Sequence, residues 1–241
     1  MLILSDRRLI EITGSDSKKF LQSLITNDIY KLSAKNPLFS CLLTPQGKFL
    51  FDFFIYEINS RIIIEINNKF FEQFIKKLNL YKLHTDVEII AIEGNILFSN
   101  KSIDCDNHFR DPRISKEFYR IIDFNLSLSA DDNLDLYHKI RIENMLIEGA
   151  YDLIQEKSFI LHYGYHNLNA VDFSKGCYVG QEVTTRSFRR GVIRKKITSF
   201  ESVKNLNQGD DLIYSDEQKI GIVAYYNKNI KSGFMLINCE N

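Results

Sequence analysis

Several things are scarce in this 241-residue chain, and each scarcity excludes a class of protein. It has no net charge, since Lys+Arg and Asp+Glu both number 31, so no global field steers it toward nucleic acid or anionic lipid. It has only 3 Pro and 11 Gly, which argues against disorder and long linkers. No apolar run approaches the roughly 20 residues of a membrane helix. The first residues reach Asp6, Arg7 and Arg8 with no apolar stretch before them, so no secretory signal is expected. Its 4 cysteines, Cys41, Cys105, Cys177 and Cys239, lie more than 60 residues apart and form no C-x-x-C pair. That spacing argues against a zinc ribbon or thioredoxin site and against an iron–sulfur cluster held by this chain alone. Reduced thiols in a cytoplasmic protein are the expectation. Repeats, low-complexity tracts, a P-loop and G-x-G-x-x-G are all missing.

What remains is ordinary for a soluble globular protein: 44% hydrophobic and 26% charged residues, enough to bury a core in one to three domains. Leu2 to Ile12 reads as a strand, with Ser15 capping a helix that carries Phe20, Leu21, Leu24 and Ile25. Phe39–Thr44 and Phe49–Ile58 read as a hairpin about the type I turn Thr44-Pro45-Gln46-Gly47. Strands follow at Arg61–Ile66, His84–Ile92, Asn95–Ser99 and Phe118–Leu128, with a helix through Phe70, Phe74 and Leu78. Asp131 or Asp132 is expected to cap a helix from Leu134 to Ile147. After Gly191 only short strands appear: Val192–Phe200, Asp211–Tyr214, Ile220–Tyr226 and Gly233–Ile237. Periodicity thus predicts α+β followed by a small antiparallel β domain. Asp52 sits between Phe51 and Phe53; it either faces water by alternation or is buried, with partners or a raised pKa. His162 and His166 are four apart, but Gly164 between them speaks against a shared helical face, and no metal site is expected. The cations at Arg186, Arg189, Arg190, Arg194, Lys195 and Lys196 form either a solvated face or an anion patch for a polyglutamate tail or RNA phosphate.

The densest signal lies in residues 172–191, which hold Gly176, Gly180 and Gly191. Glycine serves where φ is positive or where a ligand approaches the backbone. Among them stand Cys177, Tyr178, Gln181, Glu182 and Arg186. Ser174-Lys175-Gly176 reads as a turn and Gly180 as the start of a helix, which places Cys177 just before a helix N-terminus. The dipole there, with Lys175 and Arg186 if they lie close, would favour a thiolate. Cys177 is therefore expected to alkylate fastest of the four; the plainer reading is a small buried apolar residue.

Lys175-Gly176-Cys177-Tyr178-Val179-Gly180-Gln181-Glu182 resembles the K-G-C-Y-x-G-Q-E signature of the YgfZ folate-binding family, which is related to the aminomethyltransferase (T-protein) of glycine cleavage. Thr26-Asn27-Asp28, the Pro45–Asp52 hairpin, Asp111-Pro112-Arg113 and Tyr137 to Ile142 also resemble family elements. The resemblance implies two interleaved ferredoxin-like subdomains in a ring, residues 1–38 plus 118–186 and residues 39–117, with a partial β barrel at 187–241. It implies a tetrahydrofolate-binding, monomeric protein that assists iron–sulfur cluster assembly or repair in client enzymes, including tRNA-modifying ones. Cys177 would be the acting thiol. Asn27, Asp28, Asp52, Lys175, Gly176, Tyr178, Gly180, Gln181, Glu182 and Arg186 would form the folate site. The family has an acidic residue where His162 stands, which weakens the case for carboxylate-dependent amine chemistry. The alternatives are a folate-dependent aminomethyltransferase and an RNA-binding module.

Overall fold

The computed structural model describes residues 1–191, 193–213 and 219–239. The chain runs β1 (Leu2–Ile3), β2 (Arg7–Thr13), α1 (Ser17–Leu24), β3 (Leu38–Leu43), β4 (Phe49–Ile58), β5 (Arg61–Asn67), α2 (Phe71–Tyr81) and β6 (Glu88–Ile92). Then come β7 (Asn95–Ser99), β8 (His108–Arg110), β9 (Tyr119–Asp123), α3 (Leu134–Glu143), α4 (Gly149–Asp152) and α5 (Gln181–Arg189). Strands β10 (Lys195–Glu201), β11 (Asp211–Ile213), β12 (Lys219–Asn227) and β13 (Ser232–Asn238) end it. The result is a mixed α/β fold of three antiparallel sheets, with strand orders β3-β4-β5-β2-β6, β1-β7-β9-β8 and β10-β13-β12-β11. No helix among the described residues is long and apolar enough to cross a membrane.

The apolar run of β4 does not alternate, because both of its faces are covered. On one face Phe51 and Phe53 meet Phe74 of α2, at centroid distances of 5.4 and 4.9 Å. Asp52, pointing the other way, is buried as well, so the water-facing reading is corrected. The first strands stitch two sheets together: β1 pairs with β7, while β2 lies between β5 and β6. Strand pairing therefore crosses the expected boundaries at residues 38 and 117, since β7 and β8 both pair with β9.

Local departures have local causes. Ser15 does not cap α1; its N–H and hydroxyl both donate to Asp86, at 2.9 and 2.6 Å. That bond holds the turn before β6, which starts at Glu88 rather than His84. Asn133, not Asp131 or Asp132, caps α3 by accepting from the Leu136 N–H at 2.9 Å. Val192 and Tyr214, expected at strand ends, lie outside the described residues.

Between the first two sheets lies a buried ionic network. Arg7, Arg113 and Arg120 face Glu65, Asp111 and Glu148, so formal charges cancel. Arg113 forks onto Asp111 (Nε to Oδ1 3.0 Å, Nη2 to Oδ2 2.7 Å) and reaches Glu148 at 2.9 Å. Arg120 grips Glu65, which also accepts from the Tyr56 hydroxyl at 2.7 Å. Glu148 also accepts from Arg7 and the Tyr137 hydroxyl. Burial opposes its ionisation, but Arg7, Arg113, Arg141 and Arg120 hold its carboxyl well below the usual range. Next to this network, Arg141 pairs with Asp152 and stacks over Tyr225, so α3 is tied to the C-terminal sheet.

Candidate functional site

The 172–191 segment is held at four points, and those points decide what it exposes. The Asp172 N–H donates to the Thr26 carbonyl at 3.0 Å, and its carboxylate pairs with Lys31 at 2.5 Å. Lys175 turns inward, and its three ammonium protons match three carbonyl oxygens: Gln22 at 2.8 Å, Ile25 at 2.7 Å and Asn27 at 2.9 Å. Two of these, Gln22 and Ile25, lie at the C-terminal end of α1, where a cation complements the helix dipole. Burial lowers the Lys175 pKa to about 8, against the raising effect of Asp28 and Asp172. Tyr178 is buried, with the Lys175 ammonium 5.1 Å from its ring centre. Gly180, at φ +82°, lies against the hairpin turn; a Cβ there would stand 2.5 Å from the Thr44 carbonyl oxygen. Its left-handed backbone starts α5.

With Lys175 and Tyr178 pointing in, Gly176 and Cys177 point out. Cys177 is the exposed cysteine; Cys41 is buried, and Cys105 and Cys239 are intermediate. The helix start falls where the sequence placed it, and the Lys175 ammonium is bound to three backbone carbonyls. Gly176 differs from Gly180, since its φ is not positive and a Cβ there would meet nothing within 4 Å. The chain itself gives no steric reason for that glycine, and the open space lies beside Cys177.

The other expected contacts lie on several different elements. The Asn27 amide donates to the Phe39 and Asn169 carbonyls, at 2.9 and 2.7 Å. Asp28 caps the turn Ile29–Lys31 by accepting from the Tyr30 N–H at 3.1 Å. Asp52 accepts from the Gly149 N–H at 2.7 Å and the Tyr165 hydroxyl at 2.8 Å. Burial raises its pKa, and these two donors, with Arg7, only partly offset that. Gln181, Glu182 and Arg186 line an open hollow of about 550 Å³ on the outer side of α5, with Thr185, Arg189 and Arg190.

A groove of about 370 Å³ lies between the hairpin turn, the turn Ile160–Tyr163 and α5. Its walls are Phe159, Ile160, Leu161, Val183 and Ile193, with His162, Thr184, Ser187 and Arg194 as the polar groups. Burial, then Lys195 and Lys48, lowers the His162 pKa. Of its lining, sequence reasoning had singled out His162 and Arg194; the apolar walls carry no signal beyond being apolar. Gly164, at φ +73°, ends the turn between His162 and His166, and His166 packs against Phe188 at 5.7 Å.

No family model matches the chain. A protein named "Iron-sulfur cluster assembly factor IBA57 homolog, mitochondrial" from Mycosarcoma maydis is 31% identical over 79% of this chain and 54% of its own length. The Pyricularia oryzae protein of that name is 29% identical over 80% of this chain and 55% of its own. The mouse assembly factor is 26% identical over 80% and 64%. The chain thus spans little more than half the length of the first of these relatives. In fold it is similar to the glycine cleavage aminomethyltransferase T of Bartonella henselae, with a TM-score of 0.71 at 14% identity over 98% of this chain and 77% of that one. The resemblance drawn from the signature is borne out: the chain is homologous to iron–sulfur cluster assembly factors and has the aminomethyltransferase fold. The cytoplasmic expectation is corrected, because these relatives are named as mitochondrial proteins.

Proposed function

We propose that this homologue of iron–sulfur cluster assembly factors supports cluster assembly in client enzymes, and that Cys177 is the group that acts. The observation that carries the reading is the anchoring of residues 172–180. Lys175, Tyr178 and Gly180 are fixed inward, and the one thiol among them is left facing solvent beside an unfilled glycine. A thiolate is a soft ligand for iron, so a thiol on a rigid loop can bind cluster iron and release it to a client by ligand exchange. The cluster is cargo in this reading; the described residues hold no group of three or more His, Cys, Asp or Glu placed to bind metal.

Tetrahydrofolate is the ligand implied by the fold family. Asn27, Asp52 and Lys175 have their polar atoms engaged within the protein, so they position the loop and the hairpin. The 370 Å³ groove fits the chemistry better: apolar and aromatic walls suit a ring, and Arg194, with Lys48 and Lys195 near His162, suits carboxylates. Bound there, folate would supply one-carbon or redox chemistry beside α5, and Arg194 would orient its acidic tail.

The test has two arms. In cells lacking the protein, Cys177→Ser is expected to lose rescue of iron–sulfur enzyme activity while keeping the wild-type melting temperature; full rescue would defeat the thiol reading. With purified protein, tetrahydrofolate at 100 times its Kd is expected to stabilise the fold by about 2.7 kcal/mol. No change in melting temperature at millimolar folate would remove folate and leave the thiol arm intact.

A further inference from the structure

The outer side of α5 carries a feature that neither cluster chemistry nor the folate groove uses. Residues 181, 185 and 189 and residues 182, 186 and 190 form two adjacent rows at i, i+4 spacing, and together they line the 550 Å³ hollow. Arg186, Arg189 and Arg190 are exposed, and none has an ion-pair partner among the described residues. Arginines elsewhere are paired: Arg7, Arg61, Arg110, Arg113, Arg120 and Arg141 each face a carboxylate. Arg8 instead stacks over Phe71 at 3.8 Å. The arginines with neither a carboxylate nor an aromatic partner among the described residues are therefore the three of this helix and Arg194 just beyond it. The dipole at a helix C-terminus favours cations, but it does not call for three on one exposed face.

The helix also sets their distance from the thiol. At 1.5 Å per residue, Arg186 lies about 8 Å and Arg190 about 14 Å along the axis from Gln181. Cys177 precedes the opposite end, joined through the turn in which the Gln181 N–H donates to the Tyr178 carbonyl at 3.2 Å. We propose that this arginine stripe docks a partner protein through Asp and Glu carboxylates and so seats that partner beside Cys177. The proposal rests on the assembly reading. Guanidinium groups suit it, since they grip carboxylates in pairs of parallel hydrogen bonds. A single-stranded nucleic acid would need a free aromatic platform. The exposed Phe188 does not offer one, because its ring is stacked on Phe173 at 3.8 Å with 9° between planes.

The experiment compares Arg186→Glu/Arg189→Glu/Arg190→Glu with the matching triple Lys variant in cells lacking the protein. At equal protein level and melting temperature, the Glu variant is expected to cut rescue of iron–sulfur enzyme activity at least tenfold, and the Lys variant to keep at least half. Arg190→Glu alone replaces the triple variant if that one does not fold. In vitro, a decaglutamate peptide at low salt is expected to slow alkylation of Cys177 at least threefold in the wild type and not in the Glu variant. Full rescue by the Glu variant while Cys177→Ser fails would overturn the stripe and leave the assembly reading. Rescue by both would overturn the two together. Tighter binding of a decauridine RNA than of the peptide would overturn it in favour of nucleic acid. A loss confined to polyglutamylated tetrahydrofolate, with the monoglutamate unchanged, would overturn it in favour of the folate tail.

Discussion

A methyl group added at position 180 would stand 2.5 Å from the Thr44 carbonyl oxygen, on a residue already at φ +82°. A methyl at position 176 would meet nothing within 4 Å. Two glycines of one eight-residue signature thus have different work. Gly180→Ala is expected to destabilise the protein by about 1–3 kcal/mol, from left-handed strain and the clash with the hairpin turn. Gly176→Ala is expected to stay within about 0.5 kcal/mol of wild type. Urea unfolding of both variants checks this, and equal effects would mean that the turn does not rest on Gly180. That the segment needed glycine could be read in the sequence; which glycine serves the fold could not, because the atom it avoids belongs to a residue 136 positions earlier.

Between elements, the Lys175 ammonium is the link that joins the end of α1 to the loop before α5. Replacing it with methionine keeps the length and the apolar stem but leaves three carbonyls without their donor. Lys175→Met is expected to cost about 1–3 kcal/mol and to speed amide exchange in residues 172–180 at least as much as elsewhere. Exchange unchanged in that loop would show that Tyr178 and Gly180 hold it alone. Strand β4 and the start of α5 were legible because apolar runs and glycine punctuation are local signals. Strand β8 was not, since its three residues lie in a polar stretch and are a strand only because β9 lies alongside.

The whole molecule depends on its buried ionic network, which joins β2, β5, β9, α3 and the chain before α4. Glu148 sits at its centre, its pKa held below the ordinary 4.5 by the surrounding arginines despite burial. For a carboxyl depressed in the folded state, the stabilisation is fully present above the unfolded value and is lost as pH falls below it. Wild-type stability is therefore expected to drop as pH falls below about 4.5, the carboxyl's ordinary value. Glu148→Gln is expected to lose about 3–5 kcal/mol at pH 7, since it strands buried arginines, and to show a shallower acid limb. Urea titrations at pH 7 and pH 3.5 measure both, and a variant matching wild type at each pH would remove Glu148 from the keystone role.

Locally determined features needed only the sequence. The α+β-then-β order, the hairpin turn, the helix starting after Gly180 and the signature around Cys177 all follow from periodicity, turn chemistry and residue identity within a few positions. The tertiary structure alone decided where the charges went. Lys175 carries a cation that could have faced the thiol or the protein interior, and three carbonyls fixed in space by α1 and the Thr26–Asp28 turn drew it inward. Asp52 could have faced water on an alternating strand, but the packing of α4 and Tyr165 buried it. Arg186, Arg189 and Arg190 were left outside, and none forms an ion pair among the described residues. A charged side chain takes its role from the partner it finds, and those partners are distant in sequence.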